Sequence, residues 1–240
     1  MRIELQFVLA KCEIDIEYRR ILLHFIKKSL SEVNGGTYYK KYYSGHDSKD
    51  FTFAVKLPNP VFEVNRIKLD NNTIKVIWST SDYKLGLIFI NAFMAQLNKV
   101  FPLANQNEMT LVKVFKWKDN EVRTDKIRIK MISPLVIREH CRDENKDHYY
   151  SVKQDNFQEK AVEIIKSQLR LAGYTENYID DFNITPLATR TVIVKHYECN
   201  VESSLGNFEL QGKPVVLNYL LGAGLGSRKN QGFGAAVVVG

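Results

Sequence analysis

The feature that most constrains the fold of this chain is a glycine-rich stretch near its C-terminal end. Residues 222–234 contain five of the chain's 13 glycines. They form two Gly-apolar-Gly triplets, at 224–226 and 232–234, on either side of the polar and basic insert Ser227-Arg228-Lys229-Asn230-Gln231. Glycine has no Cβ atom and therefore allows positive φ and the close approach of another backbone. The stretch predicts an irregular loop that presents amide N–H groups and cations to phosphate.

Two common nucleotide-binding motifs do not fit this stretch. A dinucleotide-binding glycine fingerprint needs a following helix and an acidic residue about 20 positions further on, whereas the sequence ends at Gly240. A nucleotide-phosphate loop needs Gly-Lys-Ser or Gly-Lys-Thr, and neither occurs here. A hairpin whose glycines only satisfy turn geometry remains an alternative.

Length and charge leave room for two compact units with a basic surface. A single domain often takes ~100–150 residues, and this chain has 240. Its 34 basic and 27 acidic residues give a formal net charge of +7. Excess positive charge favours a polyanionic partner, although many soluble proteins are as basic.

The cysteines and the first residues bear on the cellular compartment. Cys12, Cys141 and Cys199 are far apart and odd in number, which suggests neither a disulfide framework nor a close-spaced zinc pair. The start of the chain carries Glu4 within its apolar run and has no cleavage signature. No stretch approaches the ~18 apolar residues of a membrane span. We therefore expect a cytoplasmic protein that does not enter a membrane.

The first half of the sequence predicts the element order of a ferredoxin-like unit. Alternating or β-branched runs predict strands, and apolar residues three or four positions apart predict helices. The turn residues 70–72 predict a hairpin between the strands on either side. The predicted strands are 1–10, 51–57, 61–69, 73–79 and 109–117, and the predicted helices are 15–33 and 83–99. The expected buried stripe of the second helix consists of Leu87, Ile90, Met94 and Leu97.

A second, less regular α+β unit is predicted after a polar break at 118–122, which divides the chain into domains 1–120 and 121–240. Its first strand alternates apolar residues with cations, so that Lys126, Arg128 and Lys130 form a basic ridge on one face. Such a ridge suits a sugar-phosphate backbone, although the solvent face of any antiparallel strand can look the same. Residues 138–147 are charged enough to predict an exposed loop. The other predicted elements are helices at 156–171 and 215–221 and strands at 188–200, 204–211 and 235–239.

Two regions before the strand at 51–57 carry side chains suited to RNA. His24 lies opposite the apolar face of the first helix, so we expect it to point to solvent or to a ligand. Residues 37–50 lack an apolar period and interleave aromatic residues with lysines, which suits a loop that stacks on bases and neutralises phosphates. Alternatively, the tyrosines pack that loop against the core. The segment contains Tyr38, Tyr39, Lys40, Lys41, Tyr42, Tyr43, His46 and Lys49. The remaining histidines, His140, His148 and His196, are predicted to be surface or packing residues.

These features together resemble a known family. The spacing of the glycine loop, its place after a short helix and its place near the chain end are similar to the repeat-cleaving endoribonucleases of CRISPR systems, the Cas six family of the repeat-associated RNA-binding superfamily. The segment Ile132-Ser133-Pro134-Leu135-Val136 resembles the Ser-Pro segment after the first strand of that family's second domain. A histidine between the first helix and the second strand is a further similarity. The resemblance implies two tandem ferredoxin-like, RNA-recognition-type domains.

The resemblance also implies an activity and its residues. It implies metal-independent cleavage of CRISPR repeat RNA in precursor transcripts, leaving 2′,3′-cyclic phosphate and 5′-OH ends. His46 would be the catalytic imidazole, assisted by Lys49 or by His24, and the participating tyrosine stays open. No cofactor and no metal is expected, because the sequence shows no carboxylate cluster with metal-ligand spacing. The expected RNA-binding residues are Tyr38, Tyr39, Lys40, Lys41, Lys126, Arg128, Lys130, Gly224, Gly226, Ser227, Arg228, Lys229, Asn230, Gln231, Gly232 and Gly234.

Other functions remain open at this point. The main alternative is a non-catalytic RNA-binding scaffold subunit of a CRISPR effector complex, which can carry a similar fold and glycine loop. A nucleotide-dependent enzyme that uses the loop for cofactor phosphates is disfavoured by the missing helix and acid. Repeat RNA is the expected partner, with the effector complex and a second copy of the chain as further possible partners.

Overall fold

A computed structural model gives the architecture of the protein for residues 1–43, 49–118, 121–141 and 145–239. The fold is α+β, as predicted, and its named strand pairs are antiparallel. No helix within these ranges is long and apolar enough to cross a membrane. The helices are α1 (Tyr18–Ser31), α2 (Thr37–Tyr43), α3 (Tyr83–Met94), α4 (Phe157–Leu171), α5 (Glu176–Ile179) and α6 (Pro214–Ala223). The strands are β1 (Arg2–Leu9), β2 (Glu13–Asp15), β3 (Phe51–Lys56), β4 (Val61–Phe62), β5 (Arg66–Lys68), β6 (Thr73–Thr80), β7 (Val100–Pro102), β8 (Glu108–Lys116), β9 (Lys126–Met131), β10 (Ile137–Cys141), β11 (Lys146–Tyr150), β12 (Asn183–His196), β13 (Cys199–Gln211) and β14 (Ala236–Val238).

The first half is built on a five-stranded sheet with the order β3-β6-β1-β8-β7. Alternation along β1 buries Ile3, Leu5, Phe7 and Leu9 on one face of this sheet. Helices cover that face: Phe7 packs edge-on against Phe25 of α1 at 5.0 Å between ring centroids. Phe25 in turn stacks on Phe93 of α3 at 6.4 Å. The first predicted strand and both predicted helices of this half are therefore present.

The predicted buried stripe of α3 is wrong. Leu87 and Met94 are 44% and 50% exposed, Ile90 and Leu97 are half-buried, and the helix ends at Met94. This helix is apolar on almost every side, so residue spacing alone does not choose a face. Aromatic contacts decide instead, because Trp78 packs against Phe89 at 4.5 Å and against Phe93 at 6.0 Å. The buried face consists of Leu85, Gly86, Ile88, Phe89, Ala92 and Phe93.

The predicted hairpin around residues 70–72 is also wrong. β5 pairs with β2 and β4 in a separate three-stranded sheet, whereas β6 pairs with β1 and β3. The turn is held by β1: Leu9 donates its amide to the carbonyl of Asn72 at 2.8 Å. The Asn72 side chain donates to the Leu9 carbonyl at 3.0 Å. These bonds align β6 with β1. The preceding strand, β5, pairs in the smaller sheet instead.

Residues 37–43 form the short helix α2 and not the predicted loop. The sequence 37–43 contains neither Gly nor Pro, and its tyrosines recur four positions apart, so that Tyr39 stacks on Tyr43 at 5.6 Å. Tyr38, Tyr42 and Tyr43 pack against the first core. For these three residues the structure favours the packing alternative.

The second half is built on a four-stranded sheet with the order β12-β13-β9-β14. Ile129 of β9 and Phe208 of β13 are fully buried beneath α4 and α6 in a second core. β12 and β13 form one long hairpin that turns at Tyr197 and Glu198. The strand predicted at 188–200 is therefore wrong at its end, because it crosses this turn. β12 begins earlier than predicted, at Asn183, and β13 begins at Cys199 instead of residue 204.

The prediction of a charged loop at 138–147 is wrong, because its described residues belong mostly to β10 and β11, which pair with each other. The charged residues of these two strands form cross-strand pairs, for example Arg138 with Asp147 at 2.9 Å.

The buried side chains fall into two large clusters. One draws on residues between Ile3 and Leu111 and the other on residues between Val122 and Ala236. A division of the chain near residue 120 remains a proposal.

Candidate nucleic-acid interface

The glycine loop that follows α6 packs between the two halves of the chain. Thr52 of β3 donates its hydroxyl to the carbonyl of Phe233 at 2.6 Å. The loop lies so close to β3 that a Cβ atom on Gly232 would stand 2.6 Å from the ring of Phe53. Gly234 has φ of 73°, and a Cβ atom there would stand 2.1 Å from the carbonyl oxygen of Leu225. The glycines therefore permit close backbone packing at this joint.

The predicted phosphate contacts of the glycine amides are not supported by this geometry. Four of these amides already donate inside the protein: Gly224 to Leu220 O at 2.8 Å, Gly226 to Gln168 Oε1 at 2.9 Å, Gly232 to Lys229 O at 3.1 Å, and Gly234 to Pro134 O at 2.8 Å. The amide of Ser227 donates to Val136 O at 2.8 Å. A phosphate would have to replace these acceptors, which would leave buried carbonyl groups unpaired.

The two cations of the loop also have protein partners. Arg228 donates to the hydroxyl of Tyr149 at 2.8 Å and to Asp147 at 3.2 Å. Burial by itself would raise the pKa of Asp147, but hydrogen bonds from Arg138 and His140 lower that pKa to about 2. Asp147 is therefore ionised and neutralises part of the charge that Arg228 was predicted to offer to RNA.

Lys229 is turned away from solvent. Its side chain is 7% exposed, and its ammonium lies 3.6 Å from Asp50 Oδ1. Burial lowers the pKa of Lys229 from its ordinary value, against the opposing effect of Asp50. The prediction that Lys229 touches RNA is therefore corrected, because the ammonium is enclosed by the protein.

The end of the loop is tied to a buried histidine. Gln231 and His196 form a hydrogen bond of 3.0 Å between Oε1 and Nε2, and the His196 ring packs edge-on against Phe233 at 5.4 Å. His196 is 0% exposed. Burial, together with the nearby charges of Arg19 and Arg228, lowers its pKa to about 4, although the bond to Gln231 acts in the opposite direction. Of the two predicted roles of His196, surface or packing, the structure shows packing. Asn230, the remaining polar residue predicted to bind RNA in this loop, is half-buried.

The basic ridge lies on the exposed face of β9, as its alternation predicts. Lys126, Arg128 and Lys130 are exposed, whereas Ile127, Ile129 and Met131 are buried. Lys126 pairs with Glu209 of β13 at 2.8 Å. Lys130 lies directly opposite Val237 of the edge strand β14.

That edge borders a cleft between the two halves with a volume of about 760 Å³, lined by Arg2, Trp117, Lys118, Tyr219 and Val237 among others. Arg2 spans the halves by donating to the carbonyls of Ala236 at 2.9 Å and Leu221 at 3.3 Å. Sequence reasoning missed Arg2, because its neighbours come from the far end of the chain and no local pattern marks it. The ridge adjoins the cleft through Val237, which lines the cleft and lies opposite Lys130. Such a basic surface suits an extended polyanion.

His24 occupies a second, smaller pocket. It is exposed on α1, as predicted, and its ring lies edge-on to Phe101 at 5.4 Å. The pocket has a volume of about 530 Å³, and its lining includes Arg20, Lys27 and, from the tip of the β12-β13 hairpin, Tyr197. Arg20 lies 4.9 Å over the Tyr197 ring.

Lys49 lies near the same helix. The ammonium groups of Lys27 and Lys49 each stand 5.3 Å from the ring centroid of Tyr43. Burial raises the pKa of Tyr43. Lys27 is one turn after His24 on α1. Because Lys27 and Lys49 contact the same ring, that of Tyr43, Lys49 lies near the helix that carries His24. His46 lies outside the described residues.

The other predicted RNA contacts lie on α2. Tyr39 is 38% exposed, Lys40 and Lys41 are exposed, and Tyr38 is half-buried. Within the part of the chain that the structure describes, no group of three or more His, Cys, Asp or Glu side chains could hold a metal ion.

Comparisons with known proteins agree with this architecture. The family model described as CRISPR associated protein Cas6, C-terminal, matches residues 117–238. A Cas6-related protein from Pyrococcus furiosus has a TM-score of 0.82 at 17% identity, with 100% of this chain and 98% of that chain covered. A structure described as an RAMP protein binding different RNA substrates has a TM-score of 0.82 at 17% identity over 100% of both chains. A Cas6 product complex has a TM-score of 0.72 at 16% identity over 99% of both chains.

A comparison with curated protein sequences finds no match. The structural similarity over the full chain confirms the predicted tandem ferredoxin-like fold. Because the family model covers half of the chain, this protein belongs to the Cas6 family of CRISPR-associated proteins.

Proposed function

We propose that this protein binds CRISPR repeat RNA in precursor transcripts and cuts it without a metal ion, giving 2′,3′-cyclic phosphate and 5′-OH ends. The observation that carries the proposal is the group formed by Lys27, Tyr43 and Lys49 beside the His24 helix. Tyr43 and Lys49 are six positions apart in the sequence, and His46 lies midway between them. Family membership and a similar fold described as a Cas6 product complex support RNA processing as the general role.

Binding rests on the surface formed by the ridge and the cleft. Lys126, Arg128 and Lys130 lie on one face at the two-residue repeat of a strand, a spacing of about 6.6 Å that is close to the distance between successive phosphates. Trp117 offers a ring for stacking at the edge of the cleft. Because most of the affinity would come from phosphate contacts, binding is expected to weaken steeply as salt rises.

Cleavage would use the ribose 2′-OH as the nucleophile. The 2′ oxygen loses its proton as it attacks the adjacent phosphorus, and the 5′ oxygen leaves with a proton. An imidazole has a pKa near 6.5 and can accept or donate such a proton at neutral pH, which is worth roughly 10²–10⁴ in rate. We assign this role to His46, with Lys49 or His24 stabilising the charge of the pentacoordinate intermediate.

The test is incubation of the protein with end-labelled RNA of the repeat found in the CRISPR array of the same genome, in the presence of EDTA. We expect a single cut and a 3′ end that polynucleotide kinase must dephosphorylate before it can be ligated. Tight binding without any cut would instead support the scaffold alternative. Loss of the cut on adding EDTA would contradict the metal-independent chemistry.

A further inference from the structure

Lys229, the glycine-loop lysine that was predicted to contact RNA, is enclosed by the protein. Lys229 is 7% exposed, and its ammonium is directed at Asp50 at 3.6 Å and stands 5.8 Å over the ring of Tyr219. A phosphate contact needs a solvent-accessible cation. This lysine therefore needs another role.

Asp50 is held by three separate elements. The hydroxyl of Tyr219 on α6 donates to Asp50 Oδ1 at 2.7 Å. Thr80 of β6 donates its hydroxyl to the Asp50 backbone carbonyl at 2.5 Å. Lys229 adds the opposite charge from the glycine loop. Both the side chain and the backbone of Asp50 are therefore fixed, and two of the three contacts come from the second half of the chain.

Asp50 is adjacent in sequence to the residues to which we assign chemistry. Lys49 precedes it directly, and His46 is four positions before it. The ammonium of Lys49 lies against Tyr43. A residue that fixes Asp50 thus fixes the backbone next to Lys49.

We propose that Lys229 is a positioning residue: by its ion pair with Asp50, the glycine loop of the second half holds Asp50, and with it the adjacent Lys49, in place. The inference rests on the proposed function and assigns no RNA contact to Lys229. A shift of about 1 Å in a catalytic group can cost on the order of 10²-fold in rate, so loss of this pair should affect cleavage much more than binding.

The experiment compares four variants of the full-length protein: Lys229→Met, Asp50→Asn, the double variant, and Lys153→Met as the control. Lys153 is a matched control because its ammonium also pairs with a carboxylate, Glu202, at 3.0 Å, but on an exposed surface. Single-turnover cleavage at saturating protein is measured on the labelled repeat RNA. Affinity is measured at several salt concentrations with the same RNA carrying a 2′-deoxy nucleotide at the mapped cut.

We expect Lys229→Met to slow cleavage by roughly 10- to 100-fold, with a Kd within about twofold of the wild type and an unchanged salt slope. Asp50→Asn should behave alike, and the double variant should lose little more than either single variant, because both remove one interaction. Lys153→Met should match the wild type. A raised Kd and a shallower salt slope, the result expected for Lys126→Met on the basic ridge, would overturn the inference, as would a wild-type cleavage rate in Lys229→Met.

A second measurement is independent of cleavage. Hydrogen exchange of the amides of residues 49–52, around Asp50, should be faster in Lys229→Met than in the wild type, and unchanged in Lys153→Met. If the wild-type protein cuts no RNA, the proposed function fails, and this exchange still decides the inference: equal exchange in both proteins overturns it. If Lys229→Met does not unfold cooperatively, Asp50→Asn is judged by the same criteria.

Discussion

At the scale of single residues, His196 shows how burial changes the chemistry of one side chain. It is fully buried between Phe233 and Tyr197, and its pKa is lowered to about 4. The unfolded chain binds a proton at that imidazole near pH 6.5, and the folded chain does not until about pH 4. Between these values the unfolded state holds more protons, so stability falls as pH falls.

The prediction for His196 concerns stability against pH. From pH 7 to pH 5 this one group should remove about 2 kcal/mol from the free energy of unfolding. In His196→Gln the fall over that interval should be smaller by about the same amount, since glutamine does not titrate. The measurement is urea denaturation at both pH values. His148→Gln is the control, because it removes an exposed imidazole, and it should keep the wild-type fall. An identical fall in His196→Gln and the wild type would contradict the buried, neutral state of His196.

At the scale of elements, the glycine loop shows how a motif can be located from sequence while its contacts are not. The two triplets predicted an irregular backbone correctly, because glycine spacing is a local signal. The role of that backbone depends on β3, which lies about 180 residues earlier and supplies Thr52 and Phe53 to the joint. No pattern within residues 222–234 carries that information.

A matched pair of glycine variants tests this account of the loop. Gly234 and Gly173 both have positive φ, 73° and 91°. A Cβ atom at 234 would meet a backbone oxygen at 2.1 Å, whereas at 173 nothing lies within 4 Å. We expect Gly173→Ala to cost about 1–2 kcal/mol of stability through its backbone conformation alone. Gly234→Ala should cost about 1–3 kcal/mol more through overlap. Equal losses in urea denaturation would contradict the close packing of the loop.

Contacts between residues distant in sequence also explain the errors in predicted secondary structure. The apolar periodicity of β1, β9 and α4 was sufficient to predict these elements, because each presents one clearly apolar face. α3 is apolar on most sides, so its buried face was chosen by Trp78, a residue outside the helix. β5 and β6 were assigned to one hairpin because they are neighbours in sequence, but Leu9 and Asn72 tie β6 to β1 instead.

At the scale of the whole molecule, the fold was predictable in outline because the order of elements and the family resemblance agree. The candidate site was predictable only where a residue acts through its own strand or helix, as for the basic ridge and His24. Arg2 and Lys229 depend on contacts between the two halves of the chain. Such contacts have no local signature in the sequence. Sequence analysis therefore did not identify Arg2 and wrongly predicted an RNA contact for Lys229.

The central claim is that one imidazole cuts RNA that the rest of the molecule holds. The direct measurement compares wild type and His46→Ala in single-turnover cleavage of the labelled repeat RNA and in affinity for its 2′-deoxy form. We predict that His46→Ala abolishes cleavage and keeps the Kd within about twofold, since phosphate contacts dominate affinity. Cleavage at the wild-type rate in His46→Ala would contradict the claim and move the chemistry to His24 or to another residue.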